Sequence, residues 1–392
     1  MKEYYLRDLL RIKNGKDHKN IQDGVIPIYG SGGIMRFGNK YLYNKESILL
    51  PRKGTLSNIQ FAKEPFWTVD TIYYTEINEH LADPYFLYCY LKILNLERLN
   101  SGTGVPSMTF DSYYNIKVNL PSLSIQYKIS KLLFTIQRLI DLNNQVNDNL
   151  EQIAKTLYDY WFVQFDFPDK NGKPYKSSGG KMVWNEELKR EIPAEWVVAK
   201  IDNIVDCNKW NAGSENCFEY INYLDTSSLT RNIINSIVRI YPKSTDVPSR
   251  AVRIVQKNDI LISTVRPNQN HFGIIKKPLN NLIASSGFAH LRSKHKGLSN
   301  DLIYYFLTSD RTINRLQQIA ESSVSAYPAI SPNDILGLKF CLSKEENFFT
   351  RINSILETIN TEISANHSEN NELVTLRDWL IPMLMNGQVK ID

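Results

Sequence analysis

At 392 residues the chain has room for two or three domains, each able to bury a core of its own. Its 42% hydrophobic and 22% charged content is that of an ordinary soluble globular protein, and 46 Lys plus Arg against 41 Asp plus Glu leave a formal charge of +5. That balance is too mild for a protein held to nucleic acid by phosphate attraction alone, and it excludes neither nucleic acid nor a neutral partner.

In chain order, residues 1–122 read as a first β-rich unit. Short β-branched and aromatic runs at 41–43, 47–50, 67–69 and 71–75 are separated by turn chemistry such as Gly30-Ser31-Gly32-Gly33. Residues 84–96 have helical length and spacing. Residues 115–120 read as a closing strand, which Pro121 ends.

Residues 123–165 are read as a long helix. Ile129, Leu132, Ile136, Leu139, Asn143, Val146, Leu150, Ile153, Leu157 and Tyr160 alternate by three and four, the seam of a coiled coil. A helix from 125 to 162 would span about 57 Å, too long to fold inside one small domain. Residues 166–194, with Asp166-Phe167-Pro168-Asp169 and Ser177-Ser178-Gly179-Gly180, have the composition of a linker. A second β-rich unit follows over 195–344. A second heptad helix over 345–392 carries Ile352, Ile355, Ile359, Glu362, Asn366, Glu369, Leu373, Leu376, Leu380 and Met383, with Pro382 ending or bending it.

The two halves repeat one another. Phe86-Leu87-Tyr88-Cys89-Tyr90-Leu91 returns as Leu302-Ile303-Tyr304-Tyr305-Phe306-Leu307, and Gly104-Val105-Pro106-Ser107-Met108-Thr109 as Ala326-Tyr327-Pro328-Ala329-Ile330-Ser331. The offset is roughly 220 residues, far beyond the 20–50 residues of a solenoid unit, so it marks two similar domains. The expected fold is α+β: two β-rich domains related by pseudo-two-fold symmetry, separated by two long antiparallel coiled-coil helices. At this offset Asn143 falls on Asn366, both at a-type positions, where a buried Asn fixes helix register.

Enzyme signatures fail. Gly33-Ile34-Met35-Arg36-Phe37-Gly38-Asn39-Lys40 mimics a phosphate loop but lacks Gly-Lys-Ser/Thr, and no Asn/Asp-Pro-Pro-Tyr/Phe, GxSxG or HExxH occurs. The six His share no spacing. The four Cys (Cys89, Cys207, Cys217, Cys341) stand singly, so reduced thiols are expected rather than disulfides or a metal site. No catalytic residue, metal ligand or cofactor-binding residue is assigned. The residues near Met1 form no apolar signal core, and no run of 18 uncharged apolar residues occurs; a cytoplasmic protein with no membrane partner is expected.

What remains are polar loops at matching places. After the strand at 47–50 come Arg52, Lys53, Ser57 and Asn58; after its counterpart at 259–262 come Ser263, Thr264, Arg266, Asn268, Gln269 and Asn270. Arg pairs with guanine edges and Asn or Gln with adenine edges. A second pair of loops carries Thr103 and Ser107, and Ser323 and Tyr327, suited to phosphate contacts. Arg36 joins them as a candidate DNA-binding residue. The framing strands repeat while the loop contents differ, which suits the reading of two different short sequences.

The chain resembles the specificity subunits of type I restriction–modification enzymes. The resemblance rests on Ile26-Pro27-Ile28-Tyr29-Gly30-Ser31-Gly32-Gly33, on Gly102-Thr103-Gly104-Val105-Pro106-Ser107-Met108 and on Leu157-Tyr158-Asp159-Tyr160-Trp161-Phe162. It continues through Lys181-Met182-Val183-Trp184, Glu191-Ile192-Pro193-Ala194-Glu195-Trp196 and Asp259-Ile260-Leu261-Ile262-Ser263-Thr264-Val265-Arg266-Pro267. It implies two target-recognition domains (1–122 and 195–344), each gripping one half of a split double-stranded DNA site. It also implies two spacer helices (123–165 and 345–392) that dock two methyltransferase subunits, with restriction and translocase subunits completing the complex. S-adenosylmethionine would be bound by the methyltransferase partner and no cofactor by this chain, a non-catalytic recognition subunit. Two other readings stay open from the residues alone: a DNA methyltransferase or nuclease with its own active site, and a coiled-coil scaffold that does not touch nucleic acid.

Overall fold

A computed structural model describes residues 1–99, 106–213, 218–322, 328–345, 347–389 and 391. The chain divides into two units: Met1–Leu142 with Asn370–Asp392, and Asn143–Glu369. Both long helices, Leu123–Tyr158 and Thr350–Met385, therefore contribute a segment to each unit. The second helix continues past Pro382 to Met385. None of the described helices is long and apolar enough to cross a membrane.

The same β scaffold is built twice. In the first unit the strands Leu10–Asn14, Ile72–Ile77, Ser47–Pro51 and Gln60–Ala62 form an antiparallel sheet in that spatial order. In the second unit Val205–Cys207, Phe288–Ser293, Asp259–Ser263 and Phe272–Ile275 take the same order. A second sheet in each unit contains one parallel pair, Asp23–Gly30 with Trp67–Thr68 and Ile221–Leu224 with Leu282–Ser285. A strand entering each unit pairs with the strand leaving it: Lys2–Tyr5 with Lys117–Leu120, and Trp196–Lys200 with Lys339–Ser343. The loop-bearing strands Ser47–Pro51 and Asp259–Ser263 are buried at every position, as central strands covered on both faces must be. The run at 41–43, expected as a strand, makes only a single bridge, between Tyr43 and Phe66.

Residues 166–194 are folded rather than a free linker. They contain the hairpin Met182–Asn185 with Arg190–Pro193 and bury Phe167 and Ile192 in the core of the second unit. Phe167 stacks on Trp196 at 5.1 Å, and Phe162 on Phe349 at 5.5 Å. The Gly/Ser/Pro content that suggested a linker builds turns around these aromatic anchors.

The long helices use a different face from the expected seam. On the first, Ile129, Leu133, Ile136, Ile140, Asn147 and Ala154 are buried, whereas Leu132, Leu139, Val146 and Ile153 are exposed. The second buries Ile352, Leu356, Ile359, Ile363, Asn366 and Asn370. The buried positions are a and e of the heptad, not a and d. Each helix segment covers its own β unit as well as the partner segment, which takes the wider stripe of a globular helix rather than a narrow seam. The paired segments run antiparallel within each unit. In the first, Arg377 Nη1 donates to Gln137 Oε1 at 2.7 Å; in the second, Asn366 Nδ2 donates to Asn147 Oδ1 at 2.8 Å and Asn143 Nδ2 to Glu369 Oε2 at 3.0 Å. Asn366 thus pairs with an amide of its own kind, but its partner is Asn147, one turn beyond Asn143.

A short helix of each unit is docked on a long helix through its N-cap. In the first unit the N-cap Asp83 of helix Pro84–Lys92 donates its N–H to Gln126 Oε1 at 3.0 Å, and its carboxylate accepts from Ser130 Oγ. In the second, the N-cap Ser299 of helix Asn300–Leu307 donates its N–H to Asn353 Oδ1 at 3.2 Å. Next to it lies a buried ion pair. Lys276 Nζ sits 2.9 Å from Asp301 Oδ1, and Asn360 Nδ2 of the second long helix donates to the same oxygen at 2.7 Å. Replacing one partner of a buried pair leaves a charge without compensation, which costs about 3–5 kcal/mol. Asp301→Ala should therefore lower the stability of the second unit by roughly that amount in urea denaturation. The double substitution Lys276→Met with Asp301→Leu should recover most of the loss; if it is as unstable as the single variant, shape rather than charge governs the site.

Candidate nucleic-acid interface

Each unit joins its two candidate loops by the same pair of backbone hydrogen bonds. In the first unit Met108 donates its N–H to Arg52 O at 3.1 Å and Gly54 donates to Pro106 O at 2.9 Å, flanking a bridge between Lys53 and Ser107. In the second unit Ile330 donates to Thr264 O at 2.8 Å and Arg266 to Pro328 O at 2.9 Å, flanking a bridge between Val265 and Ala329. A short helix then leaves each ladder from a hydroxyl cap, Phe110–Tyr114 after Thr109 and Pro332–Leu336 after Ser331. The matched proline carbonyls and matched caps give both units one loop platform, on which the side chains differ.

On the first platform Lys53 and Ser57 are exposed, and Ser107 is half-buried. Arg52 donates through Nη1 to Asp70 O at 3.2 Å, and Asn58 donates through Nδ2 to Ser31 O at 2.5 Å. Arg36 lies apart from these loops in strand Gly33–Gly38 and is engaged by its own chain. Its Nη2 donates to His18 O at 2.7 Å and Ile21 O at 2.8 Å, and its Nη1 pairs with Asp23. Beside the platform opens a cleft of about 610 Å³ lined by His18, Lys19, Ser31, Gly32, Asp70 and Thr71 among others.

On the second platform Arg266, Asn268 and Gln269 are exposed. Ser263 is buried, donating to Val265 O at 2.9 Å, and Thr264 donates to Gly287 O at 3.0 Å, so these hydroxyls shape the loop from within. Asn270 donates to Asn268 O at 3.2 Å. Arg266 and Asn270 hold positive φ, 48° and 57°, a conformation uncommon outside glycine. Thr103, Ser323 and Tyr327 lie outside the described residues.

Two further features flank the platforms, and of these the sequence showed only the turn at Gly30-Ser31-Gly32-Gly33. A two-residue hairpin tip abuts each platform, Ser31-Gly32 in the first unit and Arg231-Asn232 in the second. Only the first carried a turn signal, its run of glycines. The other feature is a buried polar clamp at the root of each loop-bearing strand. Ser47 donates to Thr75 O at 2.7 Å and accepts from Thr75 N at 2.8 Å. At the corresponding place Asp259 meets His290 Nε2 at 2.7 Å and receives both Nε and Nη2 of Arg292 at 2.7 and 2.8 Å. The Arg292 guanidinium lies 3.7 Å from the Trp210 ring centroid.

The described platform residues present hydrogen-bond donors and acceptors. Among the described residues no three His, Cys, Asp or Glu converge to hold a metal. Burial pushes the Cys89 and Cys341 thiols up to about 12, so neither is a nucleophile at neutral pH.

Residues 1–152 match the family model described as the type I restriction modification DNA specificity domain. Over 358 residues the chain is 22% identical to the MjaIX type I restriction enzyme specificity subunit of Methanocaldococcus jannaschii, covering 90% of this chain and 79% of that one. Over 100 residues it is 37% identical to the HindI specificity subunit of Haemophilus influenzae, covering 23% and 21%. The crystal structure of a type I restriction–modification S subunit from M. genitalium superposes with a TM-score of 0.67 at 15% identity, over 98% of this chain and 95% of that one, which supports the fold.

The Asp259 clamp has a pH signature. Burial pushes its carboxyl up, but the bonds from His290 and Arg292 together outweigh it and hold the acid below its ordinary value of 3.8. A folded value below the unfolded one adds stability above the unfolded pKa, which is lost as pH falls through the folded pKa. Asp259→Asn should therefore unfold at lower urea than the parent near neutral pH, and the gap should close below about pH 4. A gap that persists unchanged in acid would mean that the carboxylate's charge contributes nothing.

Proposed function

We propose, for a chain that belongs to the family of type I restriction–modification specificity subunits, that each β unit reads one half of a two-part, asymmetric site on double-stranded DNA. The observation that carries this reading is the repeated platform: one ladder, built twice, presents Arg52, Lys53, Ser57, Asn58 and Ser107 in one unit and Arg266, Asn268, Gln269 and Asn270 in the other. A shared backbone with different polar tips reads different bases, because side chains at base edges set sequence while backbone groups set register. Thr103, Ser323 and Tyr327 belong to the same loops and are proposed as further contacts. Arg36 supports the fold of the first unit, and its own bonds leave little of its guanidinium for DNA.

Methylation itself falls to partners. Two methyltransferase subunits carrying S-adenosylmethionine would dock on the long helices, and restriction and translocase subunits would complete the assembly. Exposed Leu132, Leu139, Val146 and Ile153 supply an apolar stripe at heptad spacing for a partner helix. Leu139→Glu with Ile153→Glu, both at exposed positions, should leave thermal stability within about 0.5 kcal/mol per site and abolish co-purification with the methyltransferase. Undiminished co-purification would place the dock elsewhere.

The helix pair is the spacer between the two half-sites. On B-form DNA, major-groove faces on one side of the duplex recur about every 34 Å, one helical turn. Mapping methylated adenines genome-wide in the source cell gives both half-sequences and the gap. Removing one heptad from both long helices shortens them by about 10 Å, so the mapped gap should shrink by roughly three base pairs with both half-sequences intact. A changed half-sequence at unchanged spacing counts against the spacer role.

A further inference from the structure

We infer that Arg231, at a hairpin tip of the second unit, is a specificity-determining residue that reads a guanine edge in one half-site; the inference rests on the DNA-reading function proposed above. Strands Leu229–Thr230 and Ile233–Ile234 pair as a hairpin whose loop is Arg231 and Asn232 alone. Both stand at positive φ, 45° and 66°, as the tightest hairpin loops require. Asn-Gly is the pair that meets this requirement with least strain, and Arg lacks the short polar side chain that eases Asn and Asp into it.

The two residues divide the work. Asn232 is structural: its N–H donates to Phe272 O at 3.1 Å and its Oδ1 accepts from Ile274 N at 2.8 Å, fixing the hairpin to the neighbouring strand. Arg231 donates its backbone N–H to Asn270 O at 3.1 Å, which seats the tip on the loop of Arg266, Asn268 and Gln269. Its side chain is exposed and donates no hydrogen bond to a described residue. Glu151, a carboxyl raised by burial, feels its charge but is not hydrogen-bonded to it. A strained backbone thus holds up a guanidinium that the fold does not use, which points to function rather than stability.

The first unit repeats the arrangement with different chemistry. Its tip, Ser31-Gly32, is tied to the other platform by the bond from Asn58 to Ser31 O. A Cβ added at Gly32 or Gly33 would meet nothing within 4 Å, so that tip is open and offers backbone where the second unit offers Arg231. In each unit a hairpin tip is bonded to the loop after the matched central strand, and the two tips carry different residues.

The test uses the full chain with its methyltransferase partner. The methylated sequence is mapped for the parent and for Arg231→Asn and Arg231→Lys, and binding to duplex oligonucleotides of the parent sequence is titrated at several salt concentrations. Asn tolerates positive φ, so Arg231→Asn should melt no lower than the parent. In that variant one G·C position in one half-site should become degenerate, the other half-site should stay intact, and affinity for the parent sequence should fall about tenfold or more. Lys presents a compact ammonium rather than a planar fork but can still reach a guanine edge, so Arg231→Lys should relax the same position less than Arg231→Asn does. The inference is overturned if Arg231→Asn only lowers affinity, with a salt slope shallower by about 0.9, the mark of a phosphate contact. It is equally overturned if both variants methylate the parent sequence unchanged. A parent complex that methylates no two-part sequence sinks the DNA-reading function itself, and that failure is visible without any variant.

Discussion

The carboxylate of Asp301 is out of water, and residues from two different elements of the second unit keep it compensated. Lys276 comes from the β core, Asn360 from the second long helix, and Asn360 in turn accepts from Tyr305 at 2.8 Å. A buried charge of this kind adds little net stability, but it allows one arrangement only, because any slip along the helix strands it without a partner. The first unit docks its own short helix through the half-buried cap Asp83, with Gln126 and Ser130. In both, a directional polar contact is added to the apolar packing that holds the β domain against its helix.

That fastening gives the loops their meaning. In each unit the position of the loops passes from long helix to capped helix to central strand to loop ladder, which fixes them as the proposed base reading would require. The clamps at the strand roots, Ser47 with Thr75 and Asp259 with His290 and Arg292, are the last rigid link before the variable tips. Side chains beyond the ladders can change without disturbing it, since the paired groups at Arg52, Gly54, Thr264 and Arg266 are backbone groups.

Much of this was legible in the sequence because repetition is a global signal that survives local ambiguity. The echo between residues 104–109 and 326–331 locates two segments whose flanks, 106–108 and 328–330, make matching ladders. The helix faces were not legible. Leu132 and Leu133 are both apolar, as are Leu139 and Ile140, so a and d fit the pattern as well as a and e; the β units covering one side decide between them. Arg36 has the composition of a base reader, yet its role depends on carbonyls at His18 and Ile21 that only folding brings near. The tip Arg231-Asn232 was invisible because it lacks the glycine by which such turns are recognised.

The first unit is discontinuous: its core includes Leu384 and Met385, and an added Cβ at Gly387 would lie 2.8 Å from Met1 Cε. The second unit is an uninterrupted stretch, Asn143–Glu369. On the ribosome, therefore, the half made first is the half finished last. It must wait with an open apolar seat while the later half folds, and any nascent chain cut short before Asn370 leaves that seat bare. Chain order and the order in which the two units can be completed run in opposite directions.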